Sequence, residues 1–438
     1  MGAAVVLLFA AAGCGWIYPG YNAANTGYNP VESTLSASNV SGLQYHWSGS
    51  QLAGNEILAV KGRVYTGNDT AVTAYDEAGV QGCSGSPKLC QPLLTFSKKS
   101  TCTWCRPFAV ADDTLFAFSG NLGLPPATFV DAFDATGSQG CDAAHACSPI
   151  RSYLIATSGV TYPPVVVDGT LYAASSGGLS AFDAHGVQGC AGPPQQIQCY
   201  PVWAAQTTMS VAGPALIGGP PVIADGMMYL GTSTGLEVFD AAGQTNCSGV
   251  FPNRGCKPLW TSTLTPQSLF APAVANGRVY TSDNFGQLRV WDAQGQTGCS
   301  GSPRTCTPLW TSSPGLAGSG RGSPMVTSTY TLVPTSGDVL MYDAAGNNGC
   351  SGVPLTCTPI WSPGFGGTVN GANGLAVIAN PNQEGLPPPV RVVDTRTQHP
   401  TVLFSVPATN ASSTTNAIIA DGSLVFTQGD FIHSYGLG

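Results

Sequence analysis

The sequence predicts an all-β fold, an eight-bladed β-propeller whose four-stranded antiparallel blades surround an axis. Three observations predict it. A unit recurs at a spacing of roughly 50 residues, which is typical of propeller blades. Paired turn residues such as Asp168-Gly169 and Asn276-Gly277 lie between short apolar runs, as in tight β-hairpins. The chain has only 9% charged residues with 56 Gly and 34 Pro among 438 residues, which favours short strands and turns.

The unit is clearest between Val279 and Trp310. We name its four predicted strands A to D. Strand A is apolar and precedes the Asp-Gly or Asn-Gly turn; strand B begins with an apolar residue and Tyr; strand C ends in an aromatic residue and Asp. A loop with two cysteines then leads to strand D. The aspartates that end strand C are Asp76, Asp134, Asp183, Asp240, Asp292, Asp343 and Asp394.

The last unit is incomplete, because residues Ala417 to Tyr435 supply strands A, B and C only. Residues Leu43 to Trp47 at the other end of the chain can supply the missing strand D. Closing the ring in this way removes exposed sheet edges. The sequence therefore predicts eight blades over residues 43–438, with seven blades as the alternative.

Fourteen of the fifteen cysteines fall into seven close pairs. The pairs are Cys83/Cys90, Cys102/Cys105, Cys141/Cys147, Cys190/Cys199, Cys247/Cys256, Cys299/Cys306 and Cys350/Cys357. This spacing favours disulfides formed in an oxidising compartment. Zinc sites are the alternative, but they need four ligands, and the five histidines are not placed regularly beside the pairs.

Six of the pairs lie in the loops between strands C and D. We expect them to stiffen loops that have little core of their own. Cys102 and Cys105 instead lie between strand D of the first unit and strand A of the second, on the opposite face of the ring. A structural disulfide is the first interpretation of this Cys-x-x-Cys pair; a redox or metal role is the second.

The unpaired Cys14 follows an apolar run too short to span a bilayer. Residues 1–13 resemble a bacterial lipoprotein signal that ends in small residues before the lipid-bearing cysteine. Two features depart from that pattern: no Lys or Arg precedes the run, and Ala11 stands where such signals usually have Leu. An ordinary secretory leader is the alternative. Residues 14–42 then form an N-terminal arm before the propeller.

Two sets of residues resemble the pyrroloquinoline-quinone (PQQ) type of propeller repeat. The arm carries an entry segment with Asn25, Thr26, Tyr28, Pro30, Ser38, Asn39, Val40, Leu43 and Trp47. The units carry Leu-x-Ala-aromatic-Asp-Ala-x-Gly followed by a tryptophan on strand D, at Trp203, Trp260, Trp310 and Trp361. The resemblance implies that this tryptophan packs between blades; Leu94, Arg151 and Leu403 would replace it in the less regular units.

The same family includes dehydrogenases that hold PQQ against a disulfide of adjacent cysteines, with calcium and a catalytic Asp. No two cysteines are adjacent in this chain. We therefore expect no catalytic residue, no metal and no cofactor, with PQQ and calcium only under the enzyme alternative. Non-catalytic lipoproteins of the family imply a binding scaffold instead.

Departures from the repeat locate the candidate binding residues, because binding side chains tend to lie on loops held by a rigid frame. They are Trp104, Arg106, Arg321, Asp69 and Asp283, all expected on the face opposite the cysteine loops. With a net charge of −8 and no basic cluster, nucleic acid is an unsuitable partner. The function predicted is an extracytoplasmic, lipid-anchored, monomeric scaffold for an envelope protein; a PQQ oxidoreductase and a carbohydrate-binding adhesin are the alternatives.

Overall fold

Antiparallel sheets of short strands surround one axis in the computed structural model. It describes residues 15–49, 56–98, 107–121, 127–155, 160–193, 197–207, 209–210, 213–214, 217–263, 269–313, 319–380, 390–406 and 414–438. The eight-bladed β-propeller is confirmed. Within these ranges, the protein has no helix of sufficient length and apolarity to cross a bilayer.

The first four blades have these strands, each set given in the order A, B, C, D. Blade 1 is Ile57–Val60, Arg63–Gly67, Ala71–Asp76 and Leu94–Ser97. Blade 2 is Phe108–Ala111, Thr114–Asn121, Ala127–Asp134 and Arg151–Ile155. Blade 3 is Val165–Val167, Thr170–Ser175, Gly178–Asp183 and Trp203–Ala205. Blade 4 is Val222–Ala224, Met227–Thr232, Gly235–Asp240 and Trp260–Ser262.

The other four blades are less uniform. Blade 5 is Ala273–Ala275, Arg278–Ser282, Leu288–Asp292 and Trp310–Ser312. Blade 6 is Met325–Val326, Tyr330–Pro334 and Val339–Asp343, with strand D reduced to one bridge between Met341 and Trp361. Blade 7 is Thr368–Ala372, Leu375–Ala379, Val390–Asp394 and Val402–Ser405. Blade 8 is Thr414–Ala420, Ser423–Gln428, Phe431–Leu437 and the N-terminal strand Leu43–Gly49.

Blade 8 closes the ring as predicted. Leu43–Gly49 pairs antiparallel with Phe431–Leu437, from Leu43 opposite Leu437 to Gly49 opposite Ile432. The Oγ of Ser48 also lies 2.7 Å from Nδ1 of His433 across this seam. Burial lowers the pKa of His433 to about 4, so the imidazole is neutral at physiological pH and the seam carries no buried charge there.

The turns define two faces of the ring. The A–B turns use left-handed backbone, for example φ 48° at Asp168 and 74° at Gly169, as a tight hairpin requires. They share one face with the C–D connections, and we call it the turn face. The B–C turns and the D–A connections lie on the opposite face, which we call the loop face.

The aspartate that ends strand C holds the turn after it. The carboxylate of Asp292 accepts the backbone N–H groups of Gln294, Gln296 and Thr297 at 3.2, 2.8 and 2.7 Å. Burial raises the pKa of Asp292, but these donors outweigh burial and hold the pKa below its ordinary value. The same balance lowers the pKa of Asp134, Asp183 and Asp240. The strand-ending aspartate therefore stabilises the turn that follows it in these blades.

Tryptophans pack between blades, as the repeat implied. The glycine three residues after the strand-ending Asp lies against the strand D tryptophan of the preceding blade. An added Cβ would collide with the indole at Gly79, Gly243, Gly295 and Gly346, which face Trp47, Trp203, Trp260 and Trp310. One prediction is wrong: register places Phe404, not Leu403, at this position in blade 7, because a bulge inserts Leu403.

The cysteine loops are hairpins that belong to the sheet of the neighbouring blade. Six disulfides join the predicted partners from Cys83–Cys90 to Cys350–Cys357. The hairpin of blade 6, for example, pairs in parallel with strand D of blade 5: the N–H of Thr311 donates to Leu355 at 3.1 Å and that of Ser313 to Cys357 at 2.9 Å. Cys102 and Cys105 lie outside the described residues.

This pairing repeats six times and corrects the expectation of loops with little core. Hairpins of blades 1 to 6 pair with strand D of blades 8, 1, 2, 3, 4 and 5 respectively. The second cysteine of each is buried in the core: Cys90, Cys147, Cys199, Cys256, Cys306 and Cys357. Each disulfide therefore secures an inter-blade contact as well as its own loop.

The N-terminal arm covers the inner edges of the blades. Trp16 exchanges backbone hydrogen bonds with Ala59 at 2.6 and 3.0 Å, and the Tyr18 hydroxyl bonds the backbone of Val166. Tyr28–Asn29 pairs in parallel with strand A of blade 7. Between these points the carbonyls of Ala23, Ala24 and Thr26 accept the N–H groups of Ile223, Val274 and Val326 at 2.8, 2.9 and 2.8 Å.

We predict that loss of one disulfide weakens the preceding blade. Replacing Cys299 and Cys306 together with Ser should increase amide exchange at Thr263, whose N–H donates to Cys306 at 2.9 Å. A loop this short contributes at most about 2 kcal/mol, so the fold should persist. Hydrogen exchange measured by NMR provides the test.

The matched control is the variant in which Cys83 and Cys90 are both replaced with Ser. It should increase amide exchange at Ser48 in blade 8 and leave the amide of Thr263 protected. Changes confined to residues 299–306 would show that the disulfide acts only within its own loop.

Candidate functional site

The structure separates the residues predicted to bind on the loop face. Asp69 lies in the B–C turn of blade 1 and Asp283 in that of blade 5, which is opposite in an eight-membered ring. Arg321 lies between blades 5 and 6, beside Asp283. Trp104 and Arg106 fall outside the described residues. Of the three predicted residues that the structure describes, it therefore brings together Asp283 and Arg321 and separates Asp69 from them.

Asp283 is buried and braces its own turn. One carboxylate oxygen accepts the N–H groups of Phe285 and Gln287, each at 2.9 Å. The other accepts Nη1 of Arg289 at 2.7 Å, and the two side chains are 0% and 8% exposed. A buried charge needs such a partner, because an unpaired one is costly to remove from water. Asp283 thus contributes to any binding surface through the shape of this turn.

The segment that carries Arg321 docks on the same turn. The N–H of Gly320 donates to the Asn284 carbonyl at 3.1 Å, and the Ser282 hydroxyl donates to the Gly322 carbonyl at 2.7 Å. The Arg321 N–H donates to Pro334 at 3.0 Å, while the Arg321 residue is exposed. These bonds fix the backbone on both sides of an exposed guanidinium.

Phe285 is the exposed side chain of the braced turn, with 58% of its surface accessible. We call Phe285 and Arg321 the Phe285–Arg321 patch. Phe285 was not among the binding residues predicted from the sequence, although the sequence contains a signal for it. The corresponding B–C turns, such as Ser176–Gly177 in blade 3 and Ser233–Thr234 in blade 4, carry small residues, so a phenylalanine there departs from the repeat.

A second candidate lies on the turn face and was not predicted. A cavity of about 620 Å³ is lined by the A–B turns of blades 1, 2 and 3 and by the arm. Lys61 and Asp113 bridge two of these turns at 2.5 Å, with 69% and 54% of their side chains exposed. An exposed pair of this kind contributes little to stability, so it affects the cavity mainly through charge.

Asp113 occupies an unusual backbone position at this cavity. Its φ is 58°, and the preceding Asp112 has φ 47°. Blades 1 and 3 place Gly62 and Gly169 at the second of these turn positions. A side chain is disfavoured in left-handed backbone, so the replacement of glycine by Asp113 was the sequence signal for this cavity.

Carboxyl groups meet where the ring closes between blades 8 and 1. Burial, and then the charges of Asp421, Asp76 and Glu32, raise the pKa of Glu77 to about 8. Glu32 of the arm accepts the N–H of Gly422 at 3.1 Å. The Glu77 carbonyl accepts the indole N–H of Trp47 at 3.0 Å. Glu77 therefore combines a protonated side chain at neutral pH with a structural backbone contact.

Metal-binding donors are dispersed over the part of the chain that the structure describes. In those ranges no three His, Cys, Asp or Glu side chains are grouped so that they could hold a metal ion. Asp283 already pairs with Arg289, and Asp69 lies across the ring.

Comparison with known proteins supports the fold and leaves function open. The chain matches no family model, and no curated protein matches its sequence. BamB from Moraxella catarrhalis is similar in structure, with a TM-score of 0.57, 12% identity, and coverage of 90% of this chain and 99% of BamB. A quinohemoprotein alcohol dehydrogenase from Comamonas testosteroni has a TM-score of 0.61 and 12% identity, with 98% and 81% coverage.

The computationally designed protein Ika8 is as similar as these two. It has a TM-score of 0.61 and 12% identity, and the match covers 90% of this chain and 99% of Ika8. A designed protein, an alcohol dehydrogenase and BamB thus share one architecture with this chain. The PQQ-like propeller resemblance is supported at the level of fold, and function has to be argued from the site.

We predict that Asp283 is essential to the stability of its turn. Asp283→Asn removes the charge that neutralises buried Arg289 and should lower the free energy of unfolding by about 3 kcal/mol. Denaturant unfolding followed by fluorescence measures this. Asp69→Asn, a half-buried carboxylate in the equivalent turn of blade 1, is the matched control and should have a smaller effect. Equal losses of unfolding free energy in the two variants would contradict the stabilising role of the Asp283–Arg289 pair.

We also predict a pH-dependent effect of Glu77. Its folded pKa of about 8 exceeds the unfolded value of about 4.3, so the folded state retains a proton that the unfolded state loses. Stability from this group is complete below about pH 4 and falls as pH rises toward 8. Glu77→Gln should therefore gain stability relative to wild type across this window.

Thermal unfolding of both proteins from pH 4 to 9 measures the difference. Asp430→Asn, at an exposed carboxylate, is the control for the loss of one acidic side chain. A difference between Glu77→Gln and wild type that stays constant from pH 4 to 9 would contradict a raised pKa of Glu77.

Proposed function

We propose that this protein is an extracytoplasmic scaffold that binds a protein partner in the bacterial cell envelope. Six disulfides support a location in an oxidising compartment. Structural similarity to BamB is compatible with an envelope protein. Neither observation identifies the partner, so the proposal depends on a surface with the properties of a binding site.

The Phe285–Arg321 patch is the observation that carries the proposal. Phenylalanine and arginine side chains are enriched at protein–protein interfaces relative to the rest of the protein surface. Here both lie on segments joined by backbone hydrogen bonds and braced by the buried pair of Asp283 and Arg289. A surface already held in its bound shape loses less entropy on association, which favours recognition of a folded partner.

Lipid attachment at Cys14 completes the proposed arrangement. Trp16 pairs antiparallel with Ala59 of strand A in blade 1, so Gly15 lies on the side of Val60 and the A–B turn. The described chain therefore enters the ring from the turn face. An anchor on Cys14 would hold the turn face toward the bilayer and leave the Phe285–Arg321 patch directed away from it.

Two other functions are compatible with parts of the structure. Similarity to a quinohemoprotein alcohol dehydrogenase favours a quinoprotein, but the described residues lack a grouped set of metal donors. A carbohydrate-binding role would use the turn-face cavity with its charged rim of Lys61 and Asp113. The braced aromatic–arginine pair makes the protein-binding scaffold the better-supported function.

We predict that the Phe285–Arg321 patch contacts the partner in cells. A photo-crosslinking amino acid at position 285 or 321 should give one adduct of defined mass in the native bacterial host, and Arg321→Glu should remove the adduct formed from position 285. The matched control is position 160, because Val160 is 48% exposed on the loop face of blade 3; it should give no adduct.

Absence of an adduct at 285 and 321, or equal labelling at 160, would contradict the scaffold. Reconstitution with PQQ and calcium that produced a cofactor absorbance would instead establish the quinoprotein. The lipid anchor has its own test: Cys14→Ser should release the protein from the membrane fraction.

A further inference from the structure

Within the described ranges, hairpins cover the outer edges of six blades, and no hairpin pairs with strand D of blade 6 or blade 7. Strand D of blade 7, Val402–Ser405, is the last strand of its sheet, and no described strand pairs with its outer side. In blade 6 the corresponding edge is a single bridge at Trp361, followed closely by Pro363. Proline cannot donate to a ladder, so blade 7 has the more regular open edge.

Register identifies the groups that this edge presents. In covered blades the residue after the strand D tryptophan position points its N–H outward to the hairpin. Examples are Ser48 to Lys88 at 3.1 Å, Ala204 to Arg254 at 2.9 Å and Thr311 to Leu355 at 3.1 Å. The equivalent residue in blade 7 is Ser405, opposite Arg391. Because the next residue, Val406, donates inward to Val390 at 3.0 Å, the N–H of Ser405 faces outward.

The side-chain surface beside this edge is also incomplete. In each of blades 1 to 6, the aromatic residue before the strand-ending Asp lies in the same buried cluster as the second cysteine of that blade's hairpin. These aromatics are Tyr75, Phe133, Phe182, Phe239, Trp291 and Tyr342, all at most 1% exposed. In blade 8, Gly436 occupies the position of the strand-ending aspartate, because it pairs with Ser423 at the start of strand B. Tyr435 is therefore the equivalent aromatic residue of blade 8, but it is only half-buried.

Exposed and half-buried apolar side chains continue around Tyr435. Its ring contacts Phe404 and Tyr45 with centroid separations of 6.1 and 5.8 Å, and Val402 at the start of the open strand is 46% exposed. The 3-10 turn of the arm, Val40–Gly42, contacts strand D of blade 7, and buried Val40 shares an apolar cluster with Phe404 and Tyr435. This turn forms no ladder with strand D of blade 7. Among the described residues, the outer side of this edge therefore has no strand partner, and apolar side chains lie beside it.

We propose that the outer edge of blade 7 binds an extended segment of a partner protein as an added parallel strand. Six hairpins of this chain define the geometry: the strand runs parallel to strand D and places a small apolar side chain against the neighbouring aromatic ring. Here the backbone of Ser405 pairs with the segment, and Tyr435 receives that side chain. Strand addition to an open edge is an established mode of peptide recognition. The inference rests on the proposed scaffold function and specifies its partner.

A peptide from the protein's own hairpin tests this edge directly. The probe is a fluorescent, disulfide-closed peptide of residues 297–309, titrated against the full chain by fluorescence anisotropy. Ser405→Pro removes the outward donor and should reduce affinity at least tenfold, whereas Ser405→Ala keeps the backbone and should bind as wild type. Tyr435→Glu, at a half-buried position, should also weaken binding at least tenfold and provides a second variant if Ser405→Pro fails to fold.

A disulfide-closed peptide of scrambled sequence provides the negative control. Absence of saturable binding by residues 297–309, or binding unaffected by Ser405→Pro and Tyr435→Glu, would overturn the proposal. A dimer of the free chain that is lost in Ser405→Pro would overturn it in favour of a second copy at this edge. These outcomes are independent of crosslinking at positions 285 and 321, whose failure would reject the scaffold function itself.

Discussion

Parallel pairing of each disulfide hairpin with the preceding blade is the interaction on which this ring depends. A propeller blade buries its faces against its neighbours, but its outermost strand retains unpaired backbone groups. Here the C–D connection of one blade supplies those partners for the blade before it, and the buried half-cystine fills the space between the two. Stability of one blade is therefore linked to the covalent structure of the next.

The arm has the complementary role on the inner side. Carbonyls of Ala23, Ala24 and Thr26 accept backbone donors of three successive strands A, and Glu32 secures the A–B turn of blade 8. Inner edges are thus covered by one continuous segment and outer edges by six separate hairpins. Such a frame has little freedom to deform, which suits a protein whose exposed loops need fixed positions.

Much of this architecture could be predicted, because the signals are local. Turn dipeptides, strand-ending aspartates and the spacing of cysteine pairs each depend on residues close in sequence. The strand with which a hairpin pairs lies far away in sequence. Nothing within Cys299 to Cys306 indicates that this hairpin pairs with Trp260 to Ser262 in another unit. The bulge that replaces Leu403 with Phe404 is equally invisible, since both residues are apolar.

The candidate site shows the same limit. Asp283 was identifiable as a carboxylate outside the regular turns, but its pairing with Arg289 required the structure. Phe285 and Asp113 departed from the repeat in ways that the sequence displays, and each marks a surface: the braced loop in one case, the turn-face cavity in the other. Departures from a repeat are informative when the regular residue has a known physical role, such as glycine in left-handed backbone.

Among the described strands, none pairs with the outer edge of blade 7, whereas hairpins cover six equivalent edges. Amide hydrogen exchange in the unmodified protein, resolved by residue, tests this difference most directly. We expect strong protection at Ser48, Thr95, Ala204 and Thr311, whose N–H groups donate to hairpins, and rapid exchange at Ser405. Protection of Ser405 equal to that of the other four would contradict an open edge on blade 7.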